Sequence, residues 1–187
     1  MPSSWSVAAN ELNPFMPFTP FHMGAGLVAK AGLDKHMSLI SFGVAQVAMD
    51  IEPGIGMLRG AAELHGWSHT LPGALVIATA VAPVSTLLVR PILGRWNKEV
   101  AHYKLSWLCV DERPRWAPCV VGAFVGTLSH IALDGLIHAD MHPLAPLVSA
   151  NPLLGLIAHD SVYSGCAIAA LLGTVAWFGR KWATRPR

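Results

Sequence analysis

Histidine and aspartate recur at helical spacing in two stretches of the chain. His65 and His69 lie four residues apart, and His130 and Asp134 repeat that spacing. Residues four apart share one face of an α-helix, so each pair could hold one metal ion if its stretch is helical. His138 extends the second pair by another turn. Imidazole together with carboxylate suits zinc, manganese or iron, and two facing pairs suit a site with more than one metal.

The composition indicates which elements must position these residues. Of the 187 residues, 13% are charged and 53% are hydrophobic, whereas an ordinary soluble domain has about 25% charged residues. The net charge of +2 is too small to suggest a nucleic-acid partner. Three cysteines lie far apart without a CxxC pair, which favours ordinary packing over a zinc knuckle or a disulfide framework.

Long apolar runs predict membrane helices. Residues 71–89 and 161–179 contain no charge, and 117–137 is apolar except for one His and one Asp. Each run has enough residues to cross a hydrocarbon core of about 30 Å as a helix. Two shorter helices are expected before them. We therefore predict an all-α, polytopic membrane helix bundle in one domain, residues 1–187, with two short N-terminal and three long helices: 22–34, 36–50, 71–90, 117–137 and 160–179.

The basic residues favour one orientation of this bundle. Twelve of the 13 Lys and Arg residues fall on one predicted face, and only Arg59 falls on the other. The positive-inside rule places the basic face in the cytoplasm, with the N-terminus outside and the C-terminus inside. Residues 94–116 are then a basic cytoplasmic loop. Residues 138–160, interrupted by prolines, form an external site loop that suits an interfacial stretch. The segment 1–20 lacks the pattern of a cleavable signal peptide.

In this topology, metal-ligand residue types from five stretches meet at the external ends of the helices. They are His22, Asp50, Glu52, His65, His69, His130, Asp134, His138, Asp140 and His142. A carboxylate costs about 2.5 kcal/mol or more at mid-bilayer, so we expect Asp134 to be paired or functional. A single histidine in a membrane helix often just hydrogen-bonds a neighbouring helix, so the convergence is the stronger signal.

Other histidines and acids have simpler expectations. Glu52 and Glu63 suit solvated loop acids as well as site residues, and His36 and His102 are expected at the cytoplasmic surface. His159 begins the last helix on the site face, where it is a candidate ligand or supporting group.

Four motifs resemble a known family. Met16–His22 (MPFTPFH), Asp50–Pro53 (DIEP), His65–Thr70 (HGWSHT) and Ser129–Asp134 (SHIALD) are similar to bacterial inner-membrane metal-dependent hydrolases of the YdjM/YbcI type. The resemblance extends from about residue 22 to 146, and 136–146 fits a variant with an extra His and Asp. The motif order also resembles, more loosely, the zinc phospholipase C and nuclease group, but this chain lacks that group's final HxxxE motif.

The resemblance implies a set of metal ligands and an activity. The implied ligands are His22, Asp50, His65, His69, His130 and Asp134, with His138 and Asp140 as additional candidates. One to three divalent ions would bind, with zinc expected and manganese or iron as alternatives. We expect a hydrolase of the bacterial inner membrane, using metal-activated water. The expected substrate is a lipid or lipid-linked phosphate ester at the outer face. Asp50 and Asp134 are the candidate catalytic residues: Asp50 could bridge two metals, or Asp134 could act as a ligand or as the base.

Four alternatives remain, and three of them lie outside the hydrolases. The main one is a non-enzymatic metal-ion transporter or sensor that uses the same ligands. A di-iron oxidase would normally show HxxHH, and a zinc protease would show HExxH, and the chain has neither motif. A haem protein would need facing histidine pairs and does not need so many carboxylates. The pattern leaves the oligomeric state open.

Overall fold

The chain folds as a bundle of helices. The computed structural model describes residues 20–185, and within that range it contains helices and no strand. The helices are α1 Met23–Leu33, α2 Leu39–Leu58, α3 Leu71–His102, α4 Trp116–Ile137 and α5 His159–Ala183. Short 3-10 turns precede α1, α2 and α3 and lie in the loop before α4. The predicted all-α bundle of five helices is confirmed. The predictions for 1–19 and for the start of the MPFTPFH motif lie outside the described residues.

Three helices have the length and composition of membrane spans. α3, α4 and α5 are long and apolar enough to cross a bilayer. Many of their large apolar side chains face outward; Leu87 on α3 is 75% exposed and Leu171 on α5 is 64% exposed. An apolar outer surface is stable in lipid and costly in water. α1 is only 11 residues long, about 16 Å, and is too short to cross alone.

Small residues let the helices approach closely. α2, α3 and α4 pack around a core of alanines that includes Ala45, Ala78 and Ala123. α1 packs mainly against α5, and a Cβ atom at Gly24 would overlap the carbonyl oxygen of Cys166. At Gly126, a Cβ would lie 2.8 Å from that of Ala45. Packing through small residues is the usual way that helices associate in a membrane.

α2 is longer than the sequence analysis predicts. Its expected end at residue 50 is wrong, because the helix continues through Pro53 to Leu58. Proline has no N–H, so the carbonyl of Met49 loses its helical hydrogen bond. The Ser68 hydroxyl donates to that carbonyl at 3.4 Å and compensates for the loss. This hydrogen bond therefore attaches the segment before α3 to α2 at the turn interrupted by Pro53.

α3 is also longer, and this corrects the basic loop. The helix continues to His102, so residues 94–102 of the predicted 94–116 loop are helical. The returning segment packs along the helix: Trp96 Nε1 donates to the Leu108 carbonyl at 3.1 Å, and Asn97 Nδ2 donates to the Val110 carbonyl at 2.8 Å. This segment also covers Val100, which is 6% exposed. Tertiary contacts thus extend the helix beyond its apolar run.

The basic residues and the candidate site lie at opposite ends of the bundle. At one end, the Arg180 guanidinium pairs with Asp34 at 2.9 Å, and Lys181 donates to the Cys109 carbonyl at 3.4 Å. These contacts join the C-terminal ends of α1 and α5 to the loop before α4. The clustered histidines lie at the other end. Which end faces the cytoplasm stays a prediction.

Residues 138–158 form an irregular loop over the histidine end. Met141 is fully buried against Met49, Ala74 and Ile131, and it anchors the loop in the core. Asn151 Nδ2 donates to the carbonyls of Gly135 and His138, which satisfies groups left unpaired at the end of α4. The outer part of this loop exposes large apolar side chains at Leu144, Leu147, Val148, Leu154, Leu156 and Ile157.

Candidate metal centre

Asp134 lies at the middle of a cluster of imidazoles. Its Oδ1 is 3.1 Å from His22 Nε2 and 3.9 Å from His138 Nε2. Its Oδ2 is 3.0 Å from His130 Nε2 and 3.5 Å from His69 Nε2. The residue is only 4% exposed. Each oxygen of one buried carboxylate therefore faces its own pair of ring nitrogens.

Separate elements bring these residues together. α4 supplies His130 and Asp134 in its last turns, and His22 ends the 3-10 turn before α1. Asp50 lies within α2, with Oδ1 3.3 Å from His130 Nε2. His69 ends the 3-10 turn Trp67–His69. The site therefore depends on the packing of α1, α2 and α4 and on the segment before α3.

Four overlapping groups have the spacing of a metal site. In each group, one possible ligand atom per residue lies within 4.8 Å of the others. The groups are His22–His130–Asp134, Asp50–His69–His130, His65–His69–Asp134 and His65–His138–Asp140. All eight residues expected as ligands from the sequence take part. Because the groups share members, the cluster could hold more than one ion.

The condition set for His65 and His69, a helical stretch, is not met. The pair does not share a helix face, because residues 61–66 are irregular and only Trp67–His69 forms a short 3-10 turn. The two rings nevertheless lie 4.8 Å apart, and the His65 ring stacks on His138 at 4.3 Å. His138 also lies just beyond the end of α4, with extended backbone, instead of on another helical turn. Folding of the two loops brings these rings together.

Two buried imidazoles have their Nδ1 atoms fixed by hydrogen bonds. His130 Nδ1 lies 2.6 Å from Gln46 Oε1, and the Gln46 amide nitrogen donates to the Gly126 carbonyl at 2.9 Å. His69 Nδ1 lies 2.8 Å from Ser68 Oγ, whose proton goes to a backbone carbonyl. In both cases the partner acts as an acceptor, so Nδ1 carries the proton. The lone pair of each Nε2 then points to the carboxylates.

The Nε2 atoms of His69 and His130 are buried and lack a hydrogen-bond partner among the described residues. Carboxylate oxygens nevertheless lie within 3.5 Å of both atoms. A lone pair that faces a carboxylate at this distance is repelled by it, and either a proton or a metal ion between the two atoms removes that repulsion. Ligand atoms around a tetrahedral zinc with bonds of 2.0–2.1 Å lie about 3.3 Å apart. The spacing and chemistry of the donors therefore fit a divalent metal.

Asp140 has the geometry of an orienting group. Its Oδ2 accepts from the backbone N–H groups of Leu64 and His65 at 2.9 and 3.2 Å, and its Oδ1 accepts from His65 Nδ1 at 2.9 Å. Burial disfavours its ionised form, but these hydrogen bonds and the His65 charge prevail and lower the pKa of Asp140 to about 2. A carboxylate behind a histidine commonly fixes the ring for metal binding.

The protonation of the loop histidines also suits metal binding. Burial lowers the pKa of His69, although the nearby Asp134 acts in the opposite direction. Burial and the neighbouring His65 lower the pKa of His138. Both rings are therefore neutral near pH 7, which is the form of imidazole that coordinates a metal.

Three supporting residues were not identified as such from the sequence. Gln46 and Ser68 received no assignment, although Gln46 precedes Asp50 by one helical turn and shares its face. Glu52, expected as a solvated acid or site residue, accepts from the backbone N–H groups of Trp67 and Ser68 at 3.2 and 2.7 Å. It positions the turn that carries His69.

Other candidates lie outside the cluster. His142 contacts the Ser149 carbonyl through Nδ1 at 2.5 Å and holds the loop together. His159 has a side chain that is 57% exposed, near Asp160 and Tyr163. Neither belongs to a group with metal-site spacing within the described part of the chain. Glu63, His36 and His102 are exposed.

Comparisons with known proteins give no guide to this site, since no family model, curated protein or solved structure matches the chain.

Proposed function

We propose that this protein is a membrane-bound, metal-dependent hydrolase that cleaves a phosphate ester presented by a lipid. The carrying observation is the convergence of His22, His69 and His130 on Asp134, with two buried Nε2 atoms facing carboxylates without hydrogen bonds. Imidazole and carboxylate ligands suit zinc or manganese. The family resemblance in the motifs supports the same activity and a place in the bacterial inner membrane.

The donor set favours hydrolysis over electron transfer. None of the groups with metal-site spacing in the described residues includes a cysteine. A divalent metal bound by these residues would supply a Lewis acid and activate a water for attack. Because its two oxygens face different histidines, Asp134 would be able to help hold more than one ion together with them. Phosphate-ester hydrolysis commonly uses a pair of metal ions.

Asp50 is the better candidate for the general base. Its side chain is 13% exposed, against 5% for Asp134, and its Oδ1 lies 3.3 Å from His130 Nε2. It is therefore close to the ligands and partly open to solvent. In the proposed reaction, the Asp50 carboxylate accepts the proton of the attacking water. Such proton transfer typically contributes a factor of about 10²–10⁴ to the rate.

Access from the membrane surface supports a lipid substrate. On one side the cluster is partly open: the side chains of His138 and Asp140 are 25% and 28% exposed. His138 and Asp140 belong to the 138–158 loop, and the exposed apolar side chains of that loop suit the boundary between headgroups and acyl chains. A lipid headgroup could reach the cluster from there. The only Lys or Arg expected at this end is Arg59, so the metal would have to neutralise the phosphate.

The test combines metal analysis with a lipid-phosphate assay on the purified full chain. Wild type should carry one to three divalent ions and release phosphate or a headgroup from lipid substrates in the presence of zinc or manganese. Asp134→Asn should lose metal and activity together. Asp50→Asn keeps one side-chain oxygen that could still bind a metal, and it should lose about 10²–10⁴-fold in rate, more than its loss of metal accounts for. Asp160→Asn is the matched control, because this carboxylate is fully exposed and lies outside the cluster.

A contrary result would favour the second candidate. Wild type that is loaded with metal but hydrolyses no ester in a broad panel contradicts the proposal. If Asp134→Asn then still alters metal uptake into vesicles or cells, the same ligands serve a transporter or a sensor.

A further inference from the structure

A cavity lies at the basic end of the bundle, away from the candidate metal centre. Its volume is about 610 Å³, within the roughly 300–1,000 Å³ of pockets that hold small ligands. α5 packs mainly on α1 and makes little contact with α3 or α4, which leaves space between them. The walls are mostly apolar and include Ile92, Leu93, Trp96, Thr174, Trp177 and Phe178.

Cationic side chains surround this apolar space. Lys30, Lys35 and Lys181 all line it. Lys30 donates to the backbone carbonyls of Asp34 and Met37 at 2.6 and 2.8 Å. No carboxylate pairs with any of these three lysines among the described residues. The cavity therefore joins an apolar interior to ammonium groups that lack an acidic partner.

The two carboxylates of the cavity already have partners. Asp34 pairs with Arg180 at 2.9 Å. Asp111 pairs with both Arg113 at 3.0 Å and Arg115 at 2.8 Å, so two positive charges share one negative charge. The surplus of charge around the opening is positive and complements an anion.

Trp177 adds a polar group to the wall. Its Nε1 is buried and has no hydrogen-bond partner among the described residues, and the Lys181 ammonium lies 5.7 Å from its ring centre. A buried indole N–H usually has an acceptor, and leaving it unpaired is costly. An acceptor from a molecule in the cavity would remove this cost.

We propose that this cavity binds an anionic phospholipid of the leaflet at the basic end. An acyl chain occupies the space between α3 and α5, and the phosphate lies by Lys35 and Lys181. An ester carbonyl accepts from Trp177 Nε1. The occupant needs an apolar tail, a negative headgroup and an acceptor near their junction. An anionic phospholipid carries all three, whereas a zwitterionic lipid has no net charge and free phosphate has no tail. The site is separate from the metal centre and does not depend on the proposed hydrolase activity.

The test measures lipid bound to the purified full chain by native mass spectrometry. Phosphatidylglycerol, phosphatidylcholine and inorganic phosphate are each offered to protein freed of bound lipid. The double variant Lys35→Gln/Lys181→Gln should bind phosphatidylglycerol roughly thirtyfold less well, since each lysine near a membrane contributes about 1 kcal/mol. The matched control, Arg90→Gln/Lys98→Gln, removes the same charge at the same end, but these residues lie outside the cavity.

A second measurement locates the chain inside the cavity. Phosphatidylglycerol with brominated acyl chains should quench tryptophan fluorescence in wild type, and Trp177→Phe should reduce the quenched fraction. The proposal stands if phosphatidylglycerol binds preferentially, the control double variant binds like wild type and Trp177 is quenched. It is overturned if both double variants lose binding equally, if phosphatidylcholine or phosphate binds as well, or if Trp177→Phe leaves the quenching unchanged.

Discussion

The groups behind the histidines determine what the cluster can do. His65, His69 and His130 each contact a different partner through Nδ1: the carboxylate of Asp140, a serine hydroxyl and a glutamine amide. A carboxylate or amide oxygen behind a histidine fixes its tautomer and makes the other nitrogen a better ligand. Changes at these partners should therefore alter metal affinity without removing a ligand.

The first prediction concerns Gln46. Gln46→Leu removes the acceptor of His130 Nδ1 and frees the ring to change tautomer. We expect metal affinity to fall about 10–100-fold, as is typical when such a partner is lost. The measurement is titration of metal-free protein with zinc against a competing chelator. Ser85→Ala is the control, because this buried serine bonds within α3 to Val81. Equal affinity of Gln46→Leu and wild type would contradict the assigned role.

The second prediction concerns Asp140. Asp140→Asn keeps one acceptor oxygen but places an amide N–H₂ where the wild type accepts hydrogen bonds from Leu64 or His65. The 61–66 segment should therefore loosen. Amide hydrogen exchange in that segment should speed up at neutral pH while α4 stays protected. Asp160→Asn should leave the segment unchanged. Unaltered exchange in Asp140→Asn would show that other contacts hold the loop.

For individual residues, the sequence predicted which residue types form the cluster better than it predicted their roles. The i,i+4 spacing within α4 correctly placed His130 beside Asp134, since a helix fixes that geometry locally. The same spacing misrepresented His65, whose position depends on a loop held by Asp140 and Glu52. Long-range hydrogen bonds of this kind leave no periodic pattern in a sequence. The supporting role of Gln46 could have been predicted, because an amide one turn before Asp50 in an apolar helix needs a hydrogen-bond partner.

Among the elements, α1 matters to the site although none of its own residues joins the cluster. His22 directly precedes α1, and α1 is held to α5 by close backbone contact. Gly24 and Gly173 allow this contact, since a Cβ at either position would meet backbone atoms of the other helix. The position of His22 relative to Asp134 therefore depends on glycines that have no polar chemistry of their own.

The third prediction tests this dependence. Gly24→Ala introduces a methyl group against the Cys166 carbonyl and should push α1 away from α5. We expect about 1–3 kcal/mol of destabilisation from the overpacking, together with reduced metal content as His22 moves from Asp134. Gly32→Ala is the matched control in the same helix, because a Cβ there meets nothing within 4 Å. Thermal melting and elemental analysis would measure both effects. Retention of full metal content and melting temperature in Gly24→Ala would refute this account.

Helix number was predictable from apolar runs, but the lengths of α2 and α3 were not. α2 continues through Pro53 because the Ser68 hydroxyl donates to the carbonyl that proline leaves free. α3 continues beyond its apolar run because a polar segment returns along it. In both cases, a tertiary contact outweighs the local signal at which the prediction ended the helix.

In the whole molecule, the two ends of the bundle carry different groups: the histidine cluster lies at one end and most of the described basic residues lie at the other. Asp134 lies 18 residues after the start of α4, about 27 Å along the helix and close to the far side of a hydrocarbon core of about 30 Å. If α4 crosses a bilayer, the candidate metal centre lies near a membrane surface, where water and headgroups are available, and the lysine-lined cavity lies near the opposite surface. The two ends of the bundle would then meet different leaflets, with a different chemistry at each.

The last prediction concerns which surface is which. In the predicted topology, twelve of the 13 Lys and Arg residues fall on one face of the membrane, so the positive-inside rule places the basic end in the cytoplasm. Alkaline phosphatase fused after Arg187 should be inactive in cells, and green fluorescent protein fused there should fluoresce. Alkaline phosphatase inserted between Ala61 and Ala62, which are both exposed beyond α2, should be active.

Exchange of the reporters at each position is the control and should reverse both results. If both positions report the same side, either α3, α4 and α5 do not all cross the bilayer or the two ends of the bundle are not on opposite sides. If both report the reverse, the metal centre faces the cytoplasm and its substrate must come from the inner leaflet.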